Sequence, residues 1–164
     1  MMLIQAIFTK TAGLYIQDIF IGRWYIFDFS KNINDNLQVR DKEFLNAVLD
    51  TSKTNKNYSR VEMESLRFNS KFLVYAQNPN EAFYVLTPKI MENMLRLRES
   101  IDGKLMFCFI RKKLHIAVSK PKNIFKHSVF KKLDYNSLSN DAYNNMSIIL
   151  DFIKKLKLDN DIFK

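Results

Sequence analysis

Cys108 and His115 lie seven residues apart in "LMFCFIRKKLHIAV", and that spacing poses the first chemical question. A hairpin centred near Arg111–Lys113 would bring the two side chains together, and a Cys–His pair suits thiol catalysis. The competing reading makes Cys108, set among apolar residues, a small core hydrophobe. Glu62 and Glu64 would share a strand face, as a metal-binding pair does, but no third ligand is in view. Neither His115 nor His127 has a carboxylate or cysteine at a ligand spacing such as HxxxH or CxxC. The chain contains no GxGxxG, no Walker A motif and no GxSxG. We therefore expect no catalytic, cofactor or metal site. A hydrolase whose site is assembled from scattered residues stands as an alternative.

The stronger signal is charge. The 164 residues carry a net +9, with 26 Lys and Arg against 17 Asp and Glu. From Lys104 to Lys132 there are nine basic residues and no acid: Lys104, Arg111, Lys112, Lys113, Lys120, Lys122, Lys126, Lys131 and Lys132. A one-signed stretch attracts anions such as phospholipid headgroups, nucleic acid or an acidic protein. Phe125 and Phe130 interleave with these cations, a mixture that suits single-stranded nucleic acid or an anionic membrane surface. No RNP1-like or helix-turn-helix signature favours nucleic acid. The competing reading is a solvated face in a chain rich in Lys, Asn, Ile and Phe.

The single cysteine excludes an internal disulfide framework and fits a reducing compartment. Three glycines and three prolines argue against long flexible linkers. The length and the 47% apolar content are those of one globular domain, residues 1–164. No run approaches the ~18 apolar residues of a membrane span. "MMLIQAIFTK" lacks the basic start of a signal peptide.

These residues need elements to position them. "LYIQDIFIGRWYIFDFS" reads as two strands with Gly22 as a bulge or bend between them. Trp24, Ile26 and Asp28 fall on one face, and Tyr25, Phe27 and Phe29 on the other. "LQVRD" makes a short strand and "KEFLNAVLD" a short helix. Residues 51–59 are a polar loop. "KFLVYAQ" and "AFYVLT" read as strands joined by "NPNE", a hairpin loop of turn residues. Thr87-Pro88 is a cap and first-turn proline opening a helix. "KLMFCFIRKKLHIAVS" is a second hairpin, with Leu105, Phe107 and Phe109 on one face and Met106, Cys108 and Ile110 on the other. A last helix over about 140–158 carries Ala142, Met146, Ile149, Ile153 and Leu156 on one stripe. The sum is an α+β fold, a largely antiparallel sheet built from hairpins with two main helices packed on it.

"ESLRFNSKFLVYAQNPNEAFYVLTPKIMENMLRL" (Glu64–Leu97) resembles the hallmark segment of the bacterial domain of unknown function 3137 family. The match runs through Glu64, Phe68, Phe72, Val74, Tyr75, Glu81, Ala82, Tyr84, Leu86, Thr87, Pro88, Met91 and Glu92. Upstream, "QDIFIGRWYIFDFSKNI" resembles another element of that family through Asp18, Phe20, Gly22, Trp24, Asp28, Phe29 and Lys31. The hairpin after Lys104 resembles a third, so that about residues 14–130 are covered. The resemblance implies a domain whose function is unassigned and which commonly follows membrane-spanning helices. It carries over no catalytic residue. With the basic segment, it leads to the expectation of a non-enzymatic binding module, cytoplasmic and peripheral at the inner face of a membrane. Its expected partner is the anionic lipid surface or a membrane protein. A nucleic-acid-binding protein using residues 104–132 is the alternative.

Overall fold

The computed structural model describes residues 2–12, 15–29, 33–44, 57–119 and 135–160. Among these residues, seven strands form one antiparallel sheet: β1 (Met2–Ala12), β2 (Tyr15–Asp28), β3 (Leu37–Asp41), β4 (Ser59–Val61), β5 (Phe72–Ala76), β6 (Lys104–Ile110) and β7 (Lys113–Ser119). Their order across the sheet is β1-β2-β7-β6-β3-β5-β4. Among the described residues, four helices accompany them: α1 (Leu66–Lys71), α2 (Pro79–Val85), α3 (Pro88–Ser100) and α4 (Tyr135–Asn160). The expected α+β class holds.

Alternation along the strands makes the core. Tyr25, Phe27, Leu37, Val39, Phe72, Val74, Leu105, Phe107, Phe109, Leu114 and Ile116 are buried on one face of the sheet. The buried side of every helix meets this face. Phe68 of α1, Met94 of α3, and Ile149 and Phe152 of α4 belong to the same cluster. An aromatic chain crosses the layers, from Phe68 to Phe72 at 5.0 Å, Phe72 to Phe107 at 6.1 Å and Phe107 to Phe152 at 5.7 Å between ring centroids. Such tilted and edge-on contacts each add about 0.5–1.5 kcal/mol beyond area burial. The expected terminal stripe is present where α4 is described in detail, with Ile149, Ile153 and Leu156 buried.

Several sequence expectations are corrected. "AFYVLT" is not a strand: Asn78 caps α2 by accepting from the N–H of Asn80, and Pro79 is its first residue. Asn-Pro signals a helix start as well as a turn, and it is Ala82 and Val85, three residues apart, that reach the core. Phe83 and Tyr84 consequently face solvent. Upstream, Ser65 caps α1 through the N–H of Phe68, so the hallmark segment begins in a helix rather than a strand. Leu14–Ser30 does not divide in two: Tyr15–Asp28 is one strand. The β1–β2 register shift falls between Asp18 and Phe20 and not at Gly22, whose role is to let β7 approach, since a Cβ there would lie 2.1 Å from the Val118 carbonyl oxygen. β1 was not anticipated at all. Of the short helix expected after "LQVRD", residues 42–44 form a turn and 45–50 lie outside the described residues. So do residues 51–56 of the polar loop.

Thr87 does open a helix. Its Oγ1 accepts from the N–H of Ile90 at 3.4 Å, with Pro88 as the first helical residue.

Candidate functional site: the second face of the sheet

The described helices cover one face of the sheet, and the other carries the remaining polar chemistry of the described strands. Two rows of facing residues run across it. One is Ile26, His115, Cys108, Gln38, Tyr75 and Arg60; the next is Trp24, Ala117, Met106, Arg40 and Leu73. Trp24, Ile26, Leu73, Met106, Cys108 and His115 are half-buried. A small satellite cluster covers one corner, where Phe20, Phe44 and Ala117 are buried together and the Phe20 and Phe44 rings stack at 6.0 Å. Arg40 is buried with its guanidinium 4.3 Å above the ring of Tyr75. A planar cation over an aromatic face is held electrostatically and by stacking.

The Cys–His expectation can be tested directly. Cys108 and His115 are facing partners on β6 and β7, across a two-residue turn of Arg111 and Lys112. The pairing is right, but the chemistry is not that of a nucleophile. Burial pushes the Cys108 thiol up to about 12, whereas a thiolate nucleophile needs its pKa lowered. The Nδ1 of His115 instead accepts the indole N–H of Trp24 at 3.2 Å. Burial, and then the charge of Lys113, hold the imidazole pKa below its ordinary value. The second carboxylate idea fares no better. Glu62 is ion-paired to Arg60 at 3.5 Å, and no group of three His, Cys, Asp or Glu gathers among the described residues.

The expected basic surface divides. Arg111, Lys112 and Lys113 are exposed together at the β6–β7 turn. Arg111 takes φ 56°, the left-handed backbone that primed hairpin turns require. Lys113 also meets Asp28 at 2.9 Å. Lys104 lies at the far end of β6, about 20 Å away at ~3.4 Å per residue. There it pairs with Glu43, and this contact is the main reason the Glu43 carboxyl titrates below its usual range. Arg98 of α3 joins it, reaching Glu43 at 3.8 Å and the buried carboxylate of Asp41 at 3.0 Å. That network ties α3 to the end of β3. Lys120, Lys122, Lys126, Lys131 and Lys132 lie outside the described residues.

The profile of the family described as "Protein of unknown function (DUF3137)" matches residues 18–158. The chain belongs to the DUF3137 family. No curated protein matches it. Among solved structures it is similar to the mycobacterial trehalose monomycolate transport factor A, TtfA, at 8% identity and a TM-score of 0.47, over 93% of this chain and 70% of that one.

The DUF3137 signature residues can now be given their work in this chain. Phe68, Phe72 and Val74 fill the core, and Thr87 caps α3. Glu81 accepts the N–H groups of Asn34 and Asp35 at 3.1 and 2.9 Å, fastening the segment before β3 to α2. Nothing in the local sequence signals that contact, which spans 47 and 46 positions. Tyr84 alone among them is a large aromatic left at the surface, 57% exposed. Sequence reasoning also missed Asn93 of α3. It is buried beside α4 at a notch of about 50 Å³, and its Nδ2 has no protein acceptor. That volume holds a water or two.

Proposed function

We propose that this DUF3137 domain is a non-enzymatic binding module that docks on the cytoplasmic face of a membrane. It does so through its β6–β7 turn and the adjoining face of the sheet, opposite the described helices. The supporting observation is that the buried apolar residues of the described helices join one cluster on one side of the sheet. The other side presents half-buried Trp24, Ile26 and Ile110 next to exposed Arg111, Lys112 and Lys113. Basic residues beside an indole and aliphatic side chains suit the boundary between anionic headgroups and acyl chains. No helix among the described residues is long and apolar enough to cross a membrane, so this mode of attachment works from the surface. Each Lys or Arg near an anionic bilayer contributes about 1 kcal/mol, so two or three together give measurable attraction.

Co-sedimentation with vesicles tests this reading. We expect binding to vesicles containing phosphatidylserine, none to neutral phosphatidylcholine vesicles, and loss at high salt. Arg111→Glu with Lys112→Glu should weaken binding on the order of tenfold or more. Equal sedimentation with both lipids would refute the membrane reading. Binding to single-stranded RNA with a steep salt slope, and not to vesicles, would replace it with a nucleic-acid partner.

A further inference from the structure

The sheet ends in two unlike edges. The β4 edge is three residues long, and its Arg60 is ion-paired to Glu62. Short, charged edges resist further pairing. The β1 edge runs eleven residues, from Met2 to Ala12, and among the described residues no strand pairs with its outer side. Its sequence, "MLIQAIFTKTA", has no proline and a single charge, Lys10. In a chain that is 26% charged, a typical stretch of that length would hold roughly three. The far half of the β1–β2 hairpin is also thinly supported. β7 pairs only with Gly22–Asp28, whereas β1 follows β2 out to Tyr15. Two-stranded ribbons are marginal in water without a further partner. Among the described residues, what blunts this edge is Lys10 and the register shift between Phe8 and Thr9, both in its second half.

We propose that β1 pairs antiparallel with β1 of a second copy of this chain, about a two-fold axis through Ile7, joining two seven-stranded sheets into one. A symmetric antiparallel pair must set one residue opposite its own copy. Engaging all of Met2–Ala12 puts Ile7 at that point. The strand is self-complementary in this register. By residue type, this register sets Ala6 opposite Phe8, Met2 opposite Ala12, Gln5 opposite Thr9 and Lys10 opposite Ile4. No two like charges face each other. This complementarity, which an unrelated peptide has no reason to share, is why the occupant is a second copy. The axis stands perpendicular to the sheet, so the described helices of both copies lie on one side and the opposite faces of the two sheets join on the other. The inference does not depend on membrane docking.

The test uses the full chain. Light-scattering mass across a concentration series should show a dimer. Because each copy carries +9, dimerisation should strengthen as salt rises, opposite to vesicle binding. Facing positions lie about 4.5–5.5 Å apart at Cα, within disulfide range. Ile7→Cys in a Cys108→Ala background should therefore form an intermolecular disulfide under mild oxidation. Lys10→Cys, whose copy lies about 20 Å along the strands, should not. Ile7→Lys should leave a monomer whose circular dichroism is unchanged. A monomeric mass at all concentrations and salts overturns the proposal. So does a dimer that cross-links through Lys10→Cys as readily as through Ile7→Cys.

Discussion

The indole N–H of Trp24 donates to the Nδ1 of His115 at 3.2 Å, and the two rings meet edge-on with centroids 5.9 Å apart. The bond requires a lone pair on Nδ1, so it exists only while His115 is neutral. Trp24 is the chain's single tryptophan, which makes its fluorescence a direct reporter of this contact. Burial first, and Lys113 second, lower the imidazole pKa from 6.5. The unfolded chain takes up this proton near pH 6.5 and the folded one only below it. The stability contribution is therefore fully present above about pH 6.5 and is lost as pH falls through the folded value. We expect a fluorescence titration with a midpoint below 6.5 that His115→Gln abolishes. A midpoint at or above that of a free imidazole would show the ring to be solvated.

At Gly22 the side chain is excluded by backbone, not by a movable neighbour. Gly22→Ala would drive a methyl to 2.1 Å from the Val118 carbonyl oxygen, so β2 and β7 must part. The expected cost is about 1–3 kcal/mol, the range for overpacking a close contact. Thermal unfolding measures it. A variant with an unchanged melting temperature would mean that the two strands are spaced more loosely than described.

Glu81 makes two charge-assisted bonds to main-chain N–H groups of Asn34 and Asp35. Glu81→Ala should cost about 1–2 kcal/mol, and Glu81→Gln, which keeps one acceptor oxygen, less. Urea denaturation of the three proteins should rank them in that order. If Gln and Ala were equally destabilising, the carboxylate charge rather than its geometry would be the source.

The Cys108 thiol, raised to about 12, should be slow toward thiol reagents. Labelling in the folded state should lag that in denaturant on the order of tenfold or more, since only thiolate reacts. It should also be indifferent to His115→Gln, because burial rather than the imidazole sets the thiol's pKa. A rate that follows titration of His115 would revive the Cys–His pair as a reactive dyad.

Much of this fold was legible in local pattern. The alternation in "KLMFCFI" and "KLHIAVS" predicted a hairpin and set Phe107 and Phe109 on one face and Cys108 on the other, because strand side chains must alternate; only the packing of the helices decided which face is the core. Thr87-Pro88 announced α3, because a hydroxyl cap and a residue without N–H both suit a helix start. The register of Cys108 with His115 followed from turn length alone. Where two local signals conflicted, tertiary structure decided. "AFYV" has the aromatic and β-branched residues of a strand, yet Asn78-Pro79 starts a helix whose Ala82 and Val85 fit the core, and burial outweighed intrinsic preference. The partners of Gly22, Glu81 and His115 lie between 46 and 96 positions away in the chain, and no window of sequence contains both members of such a pair. The division of the basic residues between the two ends of β6 is likewise a matter of which carboxylates fold against them. Lys104 meets Glu43 from the turn after β3, while Lys113 meets Asp28 at the end of β2. The count of charges belongs to the sequence; the surface they make belongs to the order in which the seven strands pair.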